Sequence, residues 1–350
     1  MSATDSTAPS YAELRPLKPL TTPTFPVYPD LVDTLAGVPT HPNATVAHVL
    51  ATCAGYAYSD ANTVAMIMAR MGLEDNNCRM IGRTVDAMFI FSTGFLVQSR
   101  DGRVLILGYR GTEPANIVNW LTNFDANSAK VRFAFPGAPG TFDVHGGIYR
   151  NVRATRPEVV AGVQRALDGQ SVLADGGPMP HPLEALYITG HSLGASMAAM
   201  LAVMLVTDPA YAPIAAKLRA VYTFGQLMIG TPAFADACNA DPFLGTNVIR
   251  YVYQHDVAPQ FPTRAFGPFA HFGAEYQYVA EGDEGRWRRN AKPTKQALGL
   301  LELVEAPVAF LARQLPVLRN VPFTASADDH GPQHYIAALT PPGVRSEFGD

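Results

Sequence analysis

Residues Gly190-His191-Ser192-Leu193-Gly194 fit the pattern Gly-x-Ser-x-Gly. At ordinary glycine and serine frequencies that pattern alone recurs in about one chain in ten, so its flanks carry the weight. Ala185-Leu186-Tyr187-Ile188 reads as a buried strand entering the motif, and Ala195-Ser196-Met197-Ala198-Ala199-Met200-Leu201 is an unbroken helix former leaving it. Strand, tight turn and helix in succession lift the Ser192 hydroxyl to a strained apex, and the flanking glycines avoid a clash with strand and helix. Such an apex is suited to nucleophilic attack on a carbonyl. The helix N-terminus then faces the developing oxyanion, with the Leu193 N–H as a donor to it.

A serine hydroxyl needs a general base, and the base needs an acid to orient it. The chain has nine histidines. His191 adjoins the serine and is expected to point elsewhere, while His41, His48 and His181 precede it in unremarkable contexts. His255, His271, His330 and His334 follow it. Nucleophiles on this kind of turn are followed along the chain by the acid and then the histidine. Asp256 ends the apolar stretch Val248–Tyr253, where open α/β sheets place functional groups. His330 stands late in the polar loop Ser326-Ala327-Asp328-Asp329-His330-Gly331-Pro332. Asp236 and Asp241 remain rival acids, and His334, one helical turn beyond His330, a rival base.

The elements that must hold these residues follow from apolar periodicity. Val46, Val49, Leu50 and Cys53 make one helical face, and Asp60 can cap a second helix that ends at Gly72. Met88 to Phe91 reads as a strand, Ser92-Thr93-Gly94 as a turn and Phe95-Leu96-Val97 as a continuation. Asp101-Gly102 is a hairpin signal before the buried strand Val104-Leu105-Ile106-Leu107. From Phe142 strands and helices alternate: strand 142–145 before helix 148–167, strand 184–189 before helix 193–206, then strands 218–224 and 248–253. This alternation predicts an α/β fold, a mostly parallel central sheet with helices on both faces and an antiparallel edge hairpin.

Composition bounds the rest. The charged fraction is 16% against a usual ~25%, and the net charge is −4, so no basic excess marks a nucleic-acid partner. Three scattered cysteines make neither a disulfide framework nor a zinc cluster. No metal-ligand motif stands out, and no cofactor is expected. Eight prolines in residues 1–42 predict an extended N-terminal arm over 1–44, ahead of one domain over 45–350. Asn43-Ala44-Thr45 fits a glycosylation acceptor, with chance the favoured explanation. The first residues show no export signal, so a cytoplasmic location is expected, with unconventional export or a membrane-peripheral location left open.

Several segments resemble the class 3, fungal-type lipase family of α/β-hydrolases, in the family's order. Besides the elbow, these are Gly108-Tyr109-Arg110-Gly111-Thr112, Asn119-Trp120 with Asn123, Val144-His145-Gly146-Gly147-Ile148 and Tyr222-Thr223-Phe224-Gly225-Gln226. Asp256-Val257-Ala258-Pro259, His271-Phe272-Gly273-Ala274-Glu275 and Asp329-His330 with Tyr335 complete the set. The chain departs from the pattern at Leu227-Met228, where Pro-Arg is common, at the inserted Ala258, and in two extra residues before Tyr335. The resemblance spans about residues 45–340. It implies Ser192 as nucleophile, Asp256 as orienting acid and His330 as general base. It also implies an oxyanion hole formed by Thr112 and Leu193. Arg110 and His145 read as structural.

Ile117, Trp120, Leu121 and Phe124 fall on one helical face directly after Thr112 and fit an amphipathic lid. A second apolar region, 297–318, reads as a helical pair near an acyl groove, too interrupted by Glu302, Glu305, Pro307 and Arg313 to span a membrane. The expected activity is hydrolysis of lipid carboxylic esters, as in a triacylglycerol lipase, with transient contact at a lipid interface. A phospholipase A1 or short-chain carboxylesterase on the same scaffold is the alternative. An inactive lipase-like interaction module is the alternative of another class. Oligomeric state is not legible.

Overall fold

Every position of the strand Val104–Tyr109 is buried, and its alternate side chains enter two different cores. Leu105, Leu107 and Tyr109 pack on one face of the sheet, Val104 and Ile106 on the other. A strand covered on both sides has no reason to alternate apolar with polar, which is why this stretch reads as a continuous hydrophobic run. The computed structural model describes residues 4–7, 26–37, 40–85, 90–112, 128–281, 284–297 and 328–344.

The main sheet has nine strands: β1 (Thr4–Thr7), β2 (Asn77–Val85), β3 (Ile90–Gln98), β4 (Val104–Tyr109), β7 (Ala185–His191), β8 (Leu218–Phe224), β9 (Val248–Tyr253), β10 (Ala274–Glu281) and β11 (Glu284–Arg289), in that spatial order. The pairs from β4 to β10 are parallel, and those from β1 to β4 and between β10 and β11 are antiparallel. The α/β expectation therefore holds, with both edges antiparallel rather than one. β5 (Ser128–Phe135) and β6 (Ala138–His145) form a separate two-stranded ribbon, so the stretch read as strand 142–145 lies outside the main sheet.

Helices cover the two faces. On one side lie α1 (Leu31–Ala36), α2 (Ala44–Tyr56) and α3 (Ala61–Met71), joined by Tyr335 and Ile336 of the last helix. The other side carries α4 (Gly146–Leu167), α5 (Leu193–Thr207) and the buried face of α6 (Pro232–Ala240). The last helix, α7, spans Pro332–Leu339. The caps are those the sequence offers: Asn43 and Asp60 side chains accept from Val46 N and Thr63 N, and α3 ends at Gly72 with φ 138°. Asn43 thus has a capping role. Within the proline-rich segment, α1 occupies the gap between Pro29 and Pro39 and buries Leu31 and Leu35.

Ser92-Thr93-Gly94 is not a turn. It pairs with Arg83, Gly82 and Ile81 inside one unbroken β3. The glycine gives packing room, because a Cβ at Gly94 would meet the Tyr109 ring at 3.4 Å. Asp101-Gly102 does form the β3–β4 turn, with Gly102 at φ 89°. The proposed lid residues Ile117, Trp120, Leu121 and Phe124 lie outside the described residues, as does nearly all of 297–318. Among the described residues no single helix is long and apolar enough to cross a membrane.

Candidate active site

β7 runs into Ser192 and α5 leaves it, as the sequence predicts. Ser192 sits at φ 61° and ψ −128°. A non-glycine residue there costs on the order of 1–3 kcal/mol and persists only where its surroundings impose it. The flanking glycines are required by contact: a Cβ on Gly190 would lie 2.7 Å from Ala195 N, and one on Gly194 2.8 Å from Arg110 C. The Ser192 N–H donates to Phe224 O at 2.9 Å, which ties the turn to the end of β8. Leu193 is the first residue of α5, so its N–H has no acceptor within the helix. Gly111 passes alongside: a Cβ on it would lie 3.0 Å from Ser192 Cβ, which brings Thr112, the next residue, to the rim of the site.

Asp256 and His330 meet beside this turn. His330 Nδ1 lies 2.9 and 2.8 Å from the two Asp256 carboxylate oxygens. Asp256 also accepts from Ala258 N at 2.8 Å and from the Tyr335 hydroxyl at 2.5 Å. Burial and the adjacent carboxylate push the Tyr335 hydroxyl well above its ordinary pKa, so it remains a donor. With Nδ1–H turned to Asp256, His330 Nε2 is the nitrogen left to accept a proton. Both His330 Nε2 and Ser192 Oγ are buried without a hydrogen-bond partner among the described residues. Asp329 holds the histidine turn in place by accepting from His255 N at 3.1 Å.

The rivals are placed elsewhere. His334 stacks on Tyr253 with centroids 5.3 Å apart. Asp236 is exposed on α6, and Asp241 accepts from Phe243 N and Leu244 N. His271 is buried with Nε2 on Pro259 O at 2.8 Å, and His145 is buried against Phe269.

Three neighbours escaped the sequence reading. Gly225, at φ 60°, leaves room that a side chain would fill: a Cβ would lie 2.7 Å from Asp256 Oδ2 and 2.8 Å from the His330 ring. Its position right after β8, facing the strand end that carries the acid, was the available signal. His191 does not turn away from the site. Its Nε2 lies 2.6 Å from the His330 carbonyl oxygen and its Nδ1 2.8 Å from the hydroxyl of Tyr58, the third neighbour. Beyond the elbow, a cavity of about 700 Å³ is walled by Met228, Phe269, Ala270 and His271. Its Met228 wall follows Leu227, whose backbone N–H and carbonyl both bond the Ser196 hydroxyl of α5.

A nucleophile turn at the end of a parallel strand, with helices on both faces of the sheet, defines the α/β-hydrolase class. Residues 106–266 match the family model described as "Lipase (class 3)". A lipase of Rhizomucor miehei is 30% identical over 188 residues, covering 53% of this chain and 45% of that protein. The triacylglycerol lipase OBL1 of Arabidopsis thaliana is 28% identical over 188 residues, 48% of this chain and 36% of that protein. The matched stretch thus spans less than half of either curated relative. The fold of the Rhizomucor miehei lipase–propeptide complex superposes with TM-score 0.54 at 19% identity, covering 83% of this chain and 80% of that one. The structure titled "A serine protease triad forms the catalytic centre of a triacylglycerol lipase" gives 0.52 at 20% identity, covering 83% of this chain and 94% of that one.

Proposed function

We propose that the protein hydrolyses carboxylic esters of lipids through an acyl-enzyme on Ser192. The observation that carries this reading is the His330 ring, clamped at Nδ1 by Asp256, with its Nε2 and the Ser192 Oγ both buried without a partner among the described residues. Ser192 Oγ attacks the ester carbonyl while His330 Nε2 takes its proton. Asp256 holds the ring in the required tautomer and stabilises the imidazolium that forms. The Leu193 and Thr112 N–H groups receive the oxyanion. His330 then protonates the leaving alcohol, activates a water on the same side, and the acyl-enzyme is hydrolysed.

The substrate reading rests on the activity for which the relatives are named. It includes a lid at Ile117, Trp120, Leu121 and Phe124, supported by their helical spacing in the sequence. The test is labelling with a fluorophosphonate, mapped by peptide, followed by assay on triolein, phosphatidylcholine and short p-nitrophenyl esters. Labelling confined to Ser192 with turnover of triolein is expected. Preference for phosphatidylcholine or for short esters would redirect the substrate, and folded protein that neither labels nor turns over would overturn the enzyme reading. Trp120→Ala should depress activity on emulsified long-chain esters more than on short soluble ones.

A further inference from the structure

His191 stands between the nucleophile and the base without acting as either. The His330 carbonyl can only accept, so the 2.6 Å contact requires the proton on His191 Nε2. His191 Nδ1 is then bare and accepts the Tyr58 O–H at 2.8 Å. Gly111 packs closely against Tyr58 Oη, which a Cβ on the glycine would overlap. Hydrogen bonds therefore run from the half-buried Tyr58 hydroxyl, which packs against Gly111 one residue before Thr112, through the buried His191 ring to the main chain of His330. Complete burial keeps His191 neutral, with its pKa held well below the ordinary histidine value. That neutrality matters because its ring lies 4.5 Å from the His330 ring, which becomes cationic during turnover.

We infer that His191, with Tyr58, is a positioning residue that fixes the catalytic histidine's main chain relative to the oxyanion segment at Gly111–Thr112. The inference rests on the hydrolase reading and goes further, because it couples base and oxyanion donor through the residue preceding the nucleophile. Proton transfer and oxyanion stabilisation both depend on sub-ångström placement, so a loosened chain should slow chemistry more than it weakens binding.

The experiment compares wild type with Tyr58→Phe, His191→Phe, His191→Gln and the Tyr58→Phe/His191→Phe double variant. Each is assayed on a soluble short-chain p-nitrophenyl ester and by proton NMR of the low-field His330 Nδ1–H. His191→Phe should lower kcat about 30-fold and Tyr58→Phe about fivefold, with KM within about twofold. His191→Gln keeps a donor and an acceptor and should recover most of kcat. If the chain acts as a unit, the double variant matches His191→Phe rather than multiplying the two losses. The Nδ1–H resonance should be sharp in wild type and exchange-broadened in His191→Phe. Folded His191→Phe with wild-type kcat and an unchanged resonance would overturn the inference, as would multiplicative losses in the double variant. If wild type turns over no ester, the hydrolase reading fails, while the resonance still decides whether His191 positions His330. Tyr58→Phe, nearly isosteric, keeps the test open should His191→Phe not fold.

Discussion

The Tyr335 hydroxyl lies 2.5 Å from Asp256 Oδ2, on the carboxylate whose two oxygens also receive His330 Nδ1. The tyrosine is set on α7, immediately after the histidine turn, so acid and base are also joined through a third side chain. The same hydroxyl accepts the Tyr253 N–H at 3.1 Å, at the end of the strand that leads to Asp256. Tyr335→Phe should therefore cost about 1–3 kcal/mol of stability, because a buried N–H loses its partner. It should also lower kcat about tenfold as the carboxylate loses a donor. Thermal melts and steady-state kinetics on one preparation measure both.

The nucleophile and its partners give the sharpest kinetic contrast. Ser192→Ala and His330→Ala should each lower kcat by about 10⁶ and Asp256→Asn by about 10⁴. His334→Ala should stay within about threefold of wild type, since His334 stacks on Tyr253 rather than reaching Asp256. A dead His334→Ala beside an active His330→Ala would reverse the assignment of the base.

Ser192 holds a backbone conformation that glycine adopts freely. Ser192→Gly should abolish turnover and raise unfolding stability by about 1 kcal/mol or more, since the left-handed strain is released. Chemical denaturation of the two proteins measures the difference, and a less stable glycine variant would contradict the strain.

At Gly225 the opposite substitution is informative. A methyl group there enters the space between Asp256 and His330 and also faces an unfavourable φ of 60°. Gly225→Ala should lower kcat at least a hundredfold even in protein that folds, because the carboxylate and the ring must part to admit it. Near-normal activity would mean that the pair tolerates a separation the geometry forbids.

Acid should destabilise the fold before most carboxylates titrate. Burial lowers the pKa of His48 to about 4 and depresses His191 and His271 well below 6.5. In the unfolded chain these rings take up protons near pH 6.5. Their contribution is thus complete above pH 6.5 and is lost as the pH falls towards 4, about 3 kcal/mol for His48 alone. The thermal midpoint should drop across that window, and His48→Gln should flatten part of the drop.

The sequence carried the nucleophile turn well, because β7, the two glycines and α5 are contiguous and locally determined. Asp256 and His330 were placed through chain order and strand-end position, and the structure brings them together. What could not be read were properties of distant segments. Whether β6 joins the main sheet or pairs with β5 depends on partners, not on its own pattern. Gly94 looked like a turn residue because packing of the Tyr109 ring leaves no local trace. His191 and Tyr58 are 133 residues apart, and nothing in either neighbourhood announces their contact. α2 and α3 were legible from their caps, whereas β2 has a mixed burial pattern and showed no clean period.

Thr4–Thr7 pairs antiparallel with only Asn77 to Met80 of β2. Among the described residues, these four cover one half of that border, and Ile81–Val85 runs on to the half-exposed Val85. An uncovered strand border is a template for any extended peptide, including another copy of the same chain. Trimming the proline-rich leader to simplify expression would remove the shield over Asn77–Met80, and should turn a well-behaved preparation into one that self-associates with rising concentration.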